Sequence, residues 1–154
     1  METRRNPLTR LSNASIEDAA PQVRRPHYRR AAVAVGVVHF GPGAFHRAHQ
    51  AAYFDRLLAA DPRWGICAVS LKSPGVRDAL APQDGLYTLV ELGEETRFRV
   101  IGAIAEVLVA AEAPELVALR LAAPSTRLVT LTVTEKGYCL APGGELDQHH
   151  PDIL

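Results

Sequence analysis

The sequence predicts an α/β fold: a doubly wound, mainly parallel sheet that carries an inserted β-hairpin. Its first support is a valine-rich apolar run over residues 33–40, which ends in a glycine turn and passes directly into a segment with helical spacing. A second apolar run of strand length follows over residues 64–71. Two strands that flank a helix form a βαβ unit, and parallel sheets are built from such units.

The helix of this unit is predicted to begin at Ala44. From there the apolar residues recur at helical spacing through Leu58, so one face of the helix should pack on the sheet. The polar residues Arg47, Gln50 and Asp55 fall on its other faces. The pattern therefore predicts an amphipathic helix.

The remaining elements follow from turn residues and apolar runs further along the chain. In order they are a short helix over residues 74–80 with Ser73 as its N-cap, strands over residues 86–92 and 96–104 that form the hairpin, a helix over residues 112–122, and a third buried strand over residues 127–134. We expect a polar arm over residues 1–30, the α/β domain over residues 31–140, and a truncated polar linker over residues 141–154.

Charge and cysteine content argue against several classes of protein. Seventeen basic and seventeen acidic residues leave no net charge, so neither nucleic acid nor an acidic membrane surface is indicated as a partner. Cys67 and Cys139 lie in apolar surroundings and indicate neither a disulfide framework nor a zinc site. The sequence has no run of about 18 apolar residues to span a membrane. We expect a cytoplasmic protein that uses no metal ion.

The turn after the first strand has the composition of a phosphate site. Gly41 and Gly43 let the backbone turn tightly and approach a ligand closely, and the helix that follows presents free N–H groups to an anion. The spacing matches the dinucleotide fingerprint G-x-G-x-x-G, except that His46 stands at the third glycine. The alternative is that the glycines serve only the geometry of a strand-to-helix turn.

The end of the second strand bears on which dinucleotide is bound. NAD-binding domains place an acidic residue there, about 20 residues after the glycines, to accept from a ribose hydroxyl. This sequence instead runs through Leu71, Lys72 and Ser73, with no carboxylate before Asp78. Lys72 and Ser73 could therefore meet a 2′-phosphate; the alternative is that Lys72 is a solvated surface residue.

Histidines and charged residues surround the turn and the end of the third strand. His39, His46 and His49 lack further ligands at the spacing of a zinc site, so we interpret them, with Arg47, as groups that serve a pyrophosphate or pack the turn. Glu135 follows the third strand at the sheet edge where open α/β folds bind ligands. We single out Glu135 for chemistry, and the alternative is a solvated loop residue.

Four blocks of sequence follow one another along the chain: HFGPGAFHRAHQAAYFD, WGICAVSLKSPGVRDAL, PQDGLYTL and LTVTEKGY. In order and spacing they resemble the polyol-specific long-chain dehydrogenases, the group of mannitol dehydrogenase and fructuronate reductase. The resemblance implies an NAD(P)-binding domain of Rossmann type, in which His46 is the family's own variant of the fingerprint. The predicted cofactor-binding residues are Val37, Val38, His39, Phe40, Gly41, Pro42, Gly43, Ala44, Phe45, His46, Arg47 and Ala48, together with Lys72 and Ser73.

The resemblance also implies which parts of the enzyme this sequence does not contain. Full members of the family are about three times as long, and their second, helical domain supplies the catalytic base, a lysine in a K-x-x-x-x-N-x-x-H pattern. Neither Lys72 nor Lys136 fits that pattern. The glutamate that matches Glu135 lies at the family's active site and is associated with proton movement. We expect a fragment that binds NAD or NADP, with NAD favoured by the family.

The function implied for the complete enzyme is the NAD(P)-dependent interconversion of a sugar alcohol or sugar acid with its keto form. The fragment alone should bind a dinucleotide weakly and turn over no substrate, because it lacks the lysine that transfers the proton. The alternative is a non-catalytic dinucleotide-binding module, or one half of a split enzyme that pairs with a separately encoded C-terminal domain.

Overall fold

The structure, a computed structural model, describes residues 9–133 and 135–153, apart from the side chains of Glu135 and Lys136. Its strands are β1 (Val23–Arg24), β2 (Val35–Phe40), β3 (Gly65–Ser70), β4 (Tyr87–Glu91), β5 (Arg97–Ile101), β6 (Ile104–Val109) and β7 (Leu128–Leu131). Its α-helices are α1 (Ala44–Ala48), α2 (Gln50–Leu57), α3 (Gly75–Leu80) and α4 (Pro114–Ala122). These strands form two sheets.

The larger sheet is four-stranded and parallel, in the order β6-β3-β2-β7. From β2 the chain moves outward to β3 and β6, and it then returns to the other side of β2 as β7. This reversal makes the gap between β2 and β7 a topological switch point, where open α/β sheets bind their ligands. Phe40 at the end of β2 lies opposite Val69 of β3 and Leu131 of β7, so three strand ends meet at one edge.

Neighbouring residues of β2 enter two different cores, one on each face of the sheet. Val37 belongs to a buried cluster with Ala51 and Ala52 of α2, whereas Val38 belongs to a cluster with Val117 of α4. Both valines are fully buried, as expected for a strand in the middle of a parallel sheet. Helices therefore cover both faces, which confirms the predicted doubly wound, Rossmann-like fold.

The predicted hairpin is confirmed, and it lies in the second, smaller sheet. β4 and β5 pair antiparallel, while β1 from the N-terminal segment joins β5 in parallel, with Val23 opposite Phe98 and Arg24 opposite Arg99. The strand order of this sheet is β1-β5-β4. Residues of the predicted arm thus extend the hairpin to three strands.

Asp55 of α2, which the helical pattern placed on a polar face, is instead buried, with 2% of its side chain exposed. Its Oδ1 accepts from the Tyr28 hydroxyl at 2.5 Å and from the Gly102 N–H at 2.8 Å, and its Oδ2 accepts from Arg99 Nη2 at 2.6 Å. Burial and the bond to Asp55 raise the pKa of the Tyr28 hydroxyl well above its usual range. One carboxylate therefore joins α2 to the N-terminal segment and to the smaller sheet.

Two strand predictions need correction. The single strand predicted over residues 96–104 is wrong, because the chain leaves the smaller sheet at Ile101 and enters the larger one at Ile104. The prediction therefore missed β6. The third strand, predicted as buried, is β7, which lies at the edge of the larger sheet with its Leu131 63% exposed. Within the part of the chain that the structure describes, β7 has a neighbouring strand on one side only.

The predicted helices exist, but all three have different bounds, and α4 begins at Pro114 rather than at residue 112. The helix from Ala44 is divided into α1 and α2 at His49, whose φ of −113° and ψ of −79° depart from helical values. Helix α3 begins at Gly75, and Ser73 Oγ accepts from the Gly75 N–H at 3.2 Å just before the helix. In the ranges 9–133 and 135–153, no helix is long and apolar enough to cross a membrane.

Candidate functional site

The turn between β2 and α1 lies at the switch point of the larger sheet. Gly41 adopts a φ of +86°, which side chains rarely adopt, and a Cβ at this residue would lie 2.9 Å from the carbonyl oxygen of Thr132. Its N–H donates to the Val69 oxygen of β3 at 3.0 Å. The backbone at Gly41 is thus enclosed between the ends of β3 and β7, and the fold itself requires glycine there.

Gly43 has a different role in the same turn. Its φ is −68°, and the nearest atom to a Cβ built on it is the Gly41 oxygen at 3.9 Å. Its N–H donates to that oxygen at 2.7 Å, and the first intrahelical bond of α1 runs from the Arg47 N–H to the Gly43 oxygen at 3.1 Å. The N–H groups of residues 44–46 therefore precede the helical ladder. The fold therefore does not require glycine at position 43. A ligand that approaches these N–H groups closely would require it, because a side chain at position 43 would stand in its way.

We predict that alanine at Gly41 destabilises the fold and that alanine at Gly43 does not. Gly41→Ala is expected to lower the free energy of unfolding by at least about 1–2 kcal/mol, because alanine at positive φ is strained, and because its Cβ would press on the Thr132 carbonyl. Gly43→Ala is expected to change that free energy by less than about 1 kcal/mol. Urea unfolding followed by circular dichroism measures both, and equal losses would contradict the assignment.

Two histidines stack at the base of the turn. The rings of His39 and His46 lie with centroids 3.5 Å apart and planes inclined by 11°, and both side chains are fully buried. His39 Nε2 lies 3.2 Å from the Gly41 oxygen, which can only accept, so this nitrogen carries the proton. His39 Nδ1 then accepts from the Thr130 hydroxyl of β7 at 2.8 Å. The pair thus holds the turn between β2, α1 and β7.

Both histidines are held in their neutral form. Burial lowers the pKa of His39, and burial together with the neighbouring His39 lowers the pKa of His46 to about 4. His46 Nδ1 pairs with Gln50 Oε1 at 3.2 Å, whereas its Nε2 is buried without a hydrogen-bond partner among the described residues. His39 and His46 therefore pack the turn, and a role for them toward a pyrophosphate stays a prediction.

Arg47 and Tyr87 brace the turn from the outside. Arg47 Nη1 donates to the Pro42 oxygen at 2.6 Å, and the Tyr87 hydroxyl of β4 donates to the Arg47 oxygen at 2.7 Å. Burial raises the pKa of Tyr87 above its usual range, so the hydroxyl stays a donor. The inserted hairpin thereby supports the turn of the larger sheet.

The end of β3 lies beside this turn. Lys72 and Ser73 are exposed, and Lys72 Nζ forms an ion pair with Asp152 Oδ1 at 2.7 Å. On the other side of β2, the chain after β7 forms a one-turn 3-10 helix over Glu135–Tyr138. The side chain of Glu135, the predicted catalytic carboxylate, lies outside the described parts of the structure.

Comparison with known proteins identifies the family to which the chain belongs. The sequence matches the family described as Mannitol dehydrogenase Rossmann domain over residues 35–154, and the match includes the turn and both neighbouring strand ends. The chain belongs to the mannitol dehydrogenase family. The family resemblance of the four sequence blocks is thereby confirmed.

Mannitol 2-dehydrogenases from fungi match nearly the whole chain. Mannitol 2-dehydrogenase of Pyrenophora tritici-repentis is 43% identical over 152 residues, which are 95% of this chain and 25% of that protein. Mannitol 2-dehydrogenase of Aspergillus niger is 43% identical over 145 residues, 90% of this chain and 30% of that protein.

Two solved structures share the fold. Pseudomonas fluorescens mannitol 2-dehydrogenase, in a ternary complex with NAD and D-mannitol, is 42% identical with a TM-score of 0.82, over 93% of this chain and 30% of that one. A D-sorbitol dehydrogenase in substrate-free form is 32% identical with a TM-score of 0.82, over 93% and 31%. The chain therefore spans between a quarter and a third of the length of these relatives.

The structure brings most of the predicted site residues to one edge. Residues 39–48 form the turn and α1 at the end of β2, and Lys72 and Ser73 follow the end of β3. Val37 and Val38 do not offer side chains there, because both are buried in the cores. The roles of all these residues in cofactor binding remain predictions.

Four residues of the site were not predicted from the sequence. Thr130 of β7 and Thr132, one residue beyond its end, both contact His39, so the period of two along an extended chain could have indicated them. Tyr87 and Asp152 reach the site from 40 and 80 residues away and follow no local pattern. Only the tertiary structure reveals them.

Proposed function

We propose that this chain is the dinucleotide-binding part of an NAD-dependent dehydrogenase that interconverts a sugar alcohol with its keto form. One observation supports this most strongly. The chain, which has a glycine turn at the switch point of its larger sheet, matches the complex of Pseudomonas fluorescens mannitol 2-dehydrogenase with NAD and D-mannitol at a TM-score of 0.82. A sugar alcohol is favoured over a sugar acid because the relatives are mannitol 2-dehydrogenases and a D-sorbitol dehydrogenase.

The residues of the turn fit a dinucleotide. The open space around the Cα of Gly43 lets a pyrophosphate approach the N–H groups of residues 44–46. The stacked pair of His39 and His46, neutral and buried, keeps the turn in position without adding a charge. Lys72 and Ser73 are proposed to lie near the adenosine ribose, since they follow the second strand. The bound nicotinamide would supply the hydride chemistry of the reaction.

Glu135 is proposed as an accessory group in proton movement. β7 ends at Leu131 on the same edge as the glycine turn, and Glu135 begins the 3-10 helix four residues later. The lysine that the family resemblance implies as catalytic base has no counterpart in this sequence, and the chain spans 25% to 31% of its relatives. We therefore propose that turnover requires a second domain, supplied in the same polypeptide or as the other half of a split enzyme.

Calorimetric titration of the folded chain with NADH and NADPH tests the binding proposal. We expect measurable but weak binding of a dinucleotide and no oxidation of mannitol in the presence of NAD. A folded sample that binds neither dinucleotide would overturn the proposal.

The variant Gly43→Val separates the binding role of the turn from its role in the fold. Valine fits the extended backbone of Gly43, whose ψ is −175°, so the fold should survive. Its branched side chain would occupy the space proposed for the pyrophosphate, and we expect binding to fall below detection. Gly93→Val, in the exposed turn between β4 and β5, is the matched control because a Cβ there also has room. Unchanged binding by Gly43→Val would contradict the proposed position of the dinucleotide.

A further inference from the structure

The end of β3 lacks the carboxylate that usually accepts from the ribose hydroxyl in NAD-binding sheets. Leu71, Lys72 and Ser73 follow β3, and the first acidic residue is Asp78, whose Oδ1 already accepts from Arg77 Nε at 2.9 Å. In dinucleotide-binding sheets this strand end contacts the adenosine ribose, and an acidic side chain there accepts from its 2′-hydroxyl. A carboxylate acceptor for that hydroxyl would therefore have to come from elsewhere in the chain.

Asp152 supplies a carboxylate at this place from a distant part of the sequence. Its Oδ1 lies 2.7 Å from Lys72 Nζ, across 80 residues of chain. The segment that carries it is folded by its own backbone bonds, from Ala141 N–H to the Glu145 oxygen at 2.8 Å and from Ile153 N–H to the His150 oxygen at 2.8 Å. The Asp152 N–H also donates to His150 Nδ1 at 3.1 Å. The carboxylate is thus placed by a turn that precedes it and by a second turn that contains it.

The ion pair is charged and easily rearranged. The hydrogen bond between the two groups raises the pKa of Lys72 and lowers the pKa of Asp152, so both carry their charges at neutral pH. Their side chains are 78% and 55% exposed, and exposed pairs of this kind hold together weakly. Either group can therefore turn toward a ligand at little cost.

We propose that Asp152 and Lys72 together determine the preference of this site for NAD over NADP; this rests on the proposed dinucleotide function. With NAD, the Asp152 carboxylate accepts from the ribose 2′-hydroxyl and can keep its ion pair with Lys72. With NADP, the 2′-phosphate, which carries about two negative charges, would stand beside the Asp152 carboxylate. Repulsion between the phosphate and the carboxylate then offsets the attraction of Lys72.

Dissociation constants of NADH and NADPH, measured by calorimetry on the folded chain, test this proposal through the variant Asp152→Asn. Asparagine keeps the size and an acceptor oxygen but removes the charge. We expect the ratio of the NADPH constant to the NADH constant to fall at least about fivefold, because unit charges a few Å apart in water interact by about 1 kcal/mol. The control Glu145→Gln removes a charge from the same segment without touching Lys72, and it should leave the ratio unchanged.

A second variant tests the lysine. Lys72→Met in the Asp152→Asn background should reverse the gain in NADPH affinity and leave NADH affinity within about twofold, since only the 2′-phosphate needs the charge. If Asp152→Asn binds both dinucleotides with the parent ratio, the preference proposal is overturned while the proposed function stands. If the folded parent binds neither dinucleotide, both proposals fall.

Discussion

Replacing Asp55 with alanine is expected to lower the free energy of unfolding by about 3–5 kcal/mol, since removing one partner of a buried ion pair leaves the other charge without compensation. The carboxylate accepts three hydrogen bonds, from Tyr28, Arg99 and Gly102. Alanine would leave all three donors without their acceptor, and the Arg99 side chain is only 15% exposed. A loss of this size is a large share of a typical domain's stability. The variant should be largely unfolded at 37 °C if the parent is of ordinary stability.

Urea unfolding followed by tryptophan fluorescence and circular dichroism measures this loss. Tyr28→Phe should cost only about 1 kcal/mol, because it removes a single hydrogen bond to the same carboxylate. Glu17→Gln is the surface control: Glu17 also pairs with an arginine, Arg25, at 2.6 Å, but it is 82% exposed, so we expect little change. A loss below about 1 kcal/mol for Asp55→Ala would show that the bonds from Asp55 of α2 to the N-terminal segment and the smaller sheet add little stability.

Acid is expected to destabilise the chain through His46. The unfolded chain binds a proton at this imidazole near the ordinary pKa of 6.5, whereas in the folded chain its pKa is about 4. The unfolded state therefore binds more protons between these values, and the free energy of unfolding should fall as the pH falls from 6.5 toward 4. The contribution of His46 alone is about 3 kcal/mol. The proton would enter at Nε2, which is buried without an acceptor in the described structure.

Urea unfolding at a series of pH values between 4 and 8 checks this pH dependence. His46→Gln is expected to be less stable at neutral pH but to show a flatter pH profile than the parent, because its side chain does not titrate. His27→Gln, on the exposed N-terminal segment, should keep the parent profile. A parent-like slope in His46→Gln would mean that other groups cause the acid sensitivity.

Several features of the fold follow from local chemistry, and the sequence is sufficient to predict them. The valine-rich run of β2, the glycine turn and the amphipathic spacing after Ala44 each depend on neighbouring residues, and together they predict the first βαβ unit. The hairpin of β4 and β5 follows from two strand-like runs at hairpin spacing. Pro114 marks the start of α4 because proline is favoured at the first position of a helix.

Other features depend on which segments meet in space. The run over residues 96–104 contains only one short interruption, so periodicity did not show that β5 and β6 belong to different sheets. The Gly102 N–H at the crossing donates to Asp55, 47 residues earlier in the chain. The same contact explains why a charged residue on α2 is buried. The exposure of β7 likewise depends on the order of strands in the sheet rather than on its own composition.

The candidate site likewise has features that neighbouring residues predict and features that depend on contacts between distant residues. The sequence by itself determined the strand, the glycine turn and the family, because backbone conformation at Gly41 and close approach at Gly43 are properties of single residues and their neighbours. Only the tertiary structure decided that His46 stacks on His39, that Thr130 and Thr132 hold that pair, and that Asp152 stands beside Lys72. These contacts join parts of the chain up to 93 residues apart, and their energies depend on burial and distance, which exist only after folding.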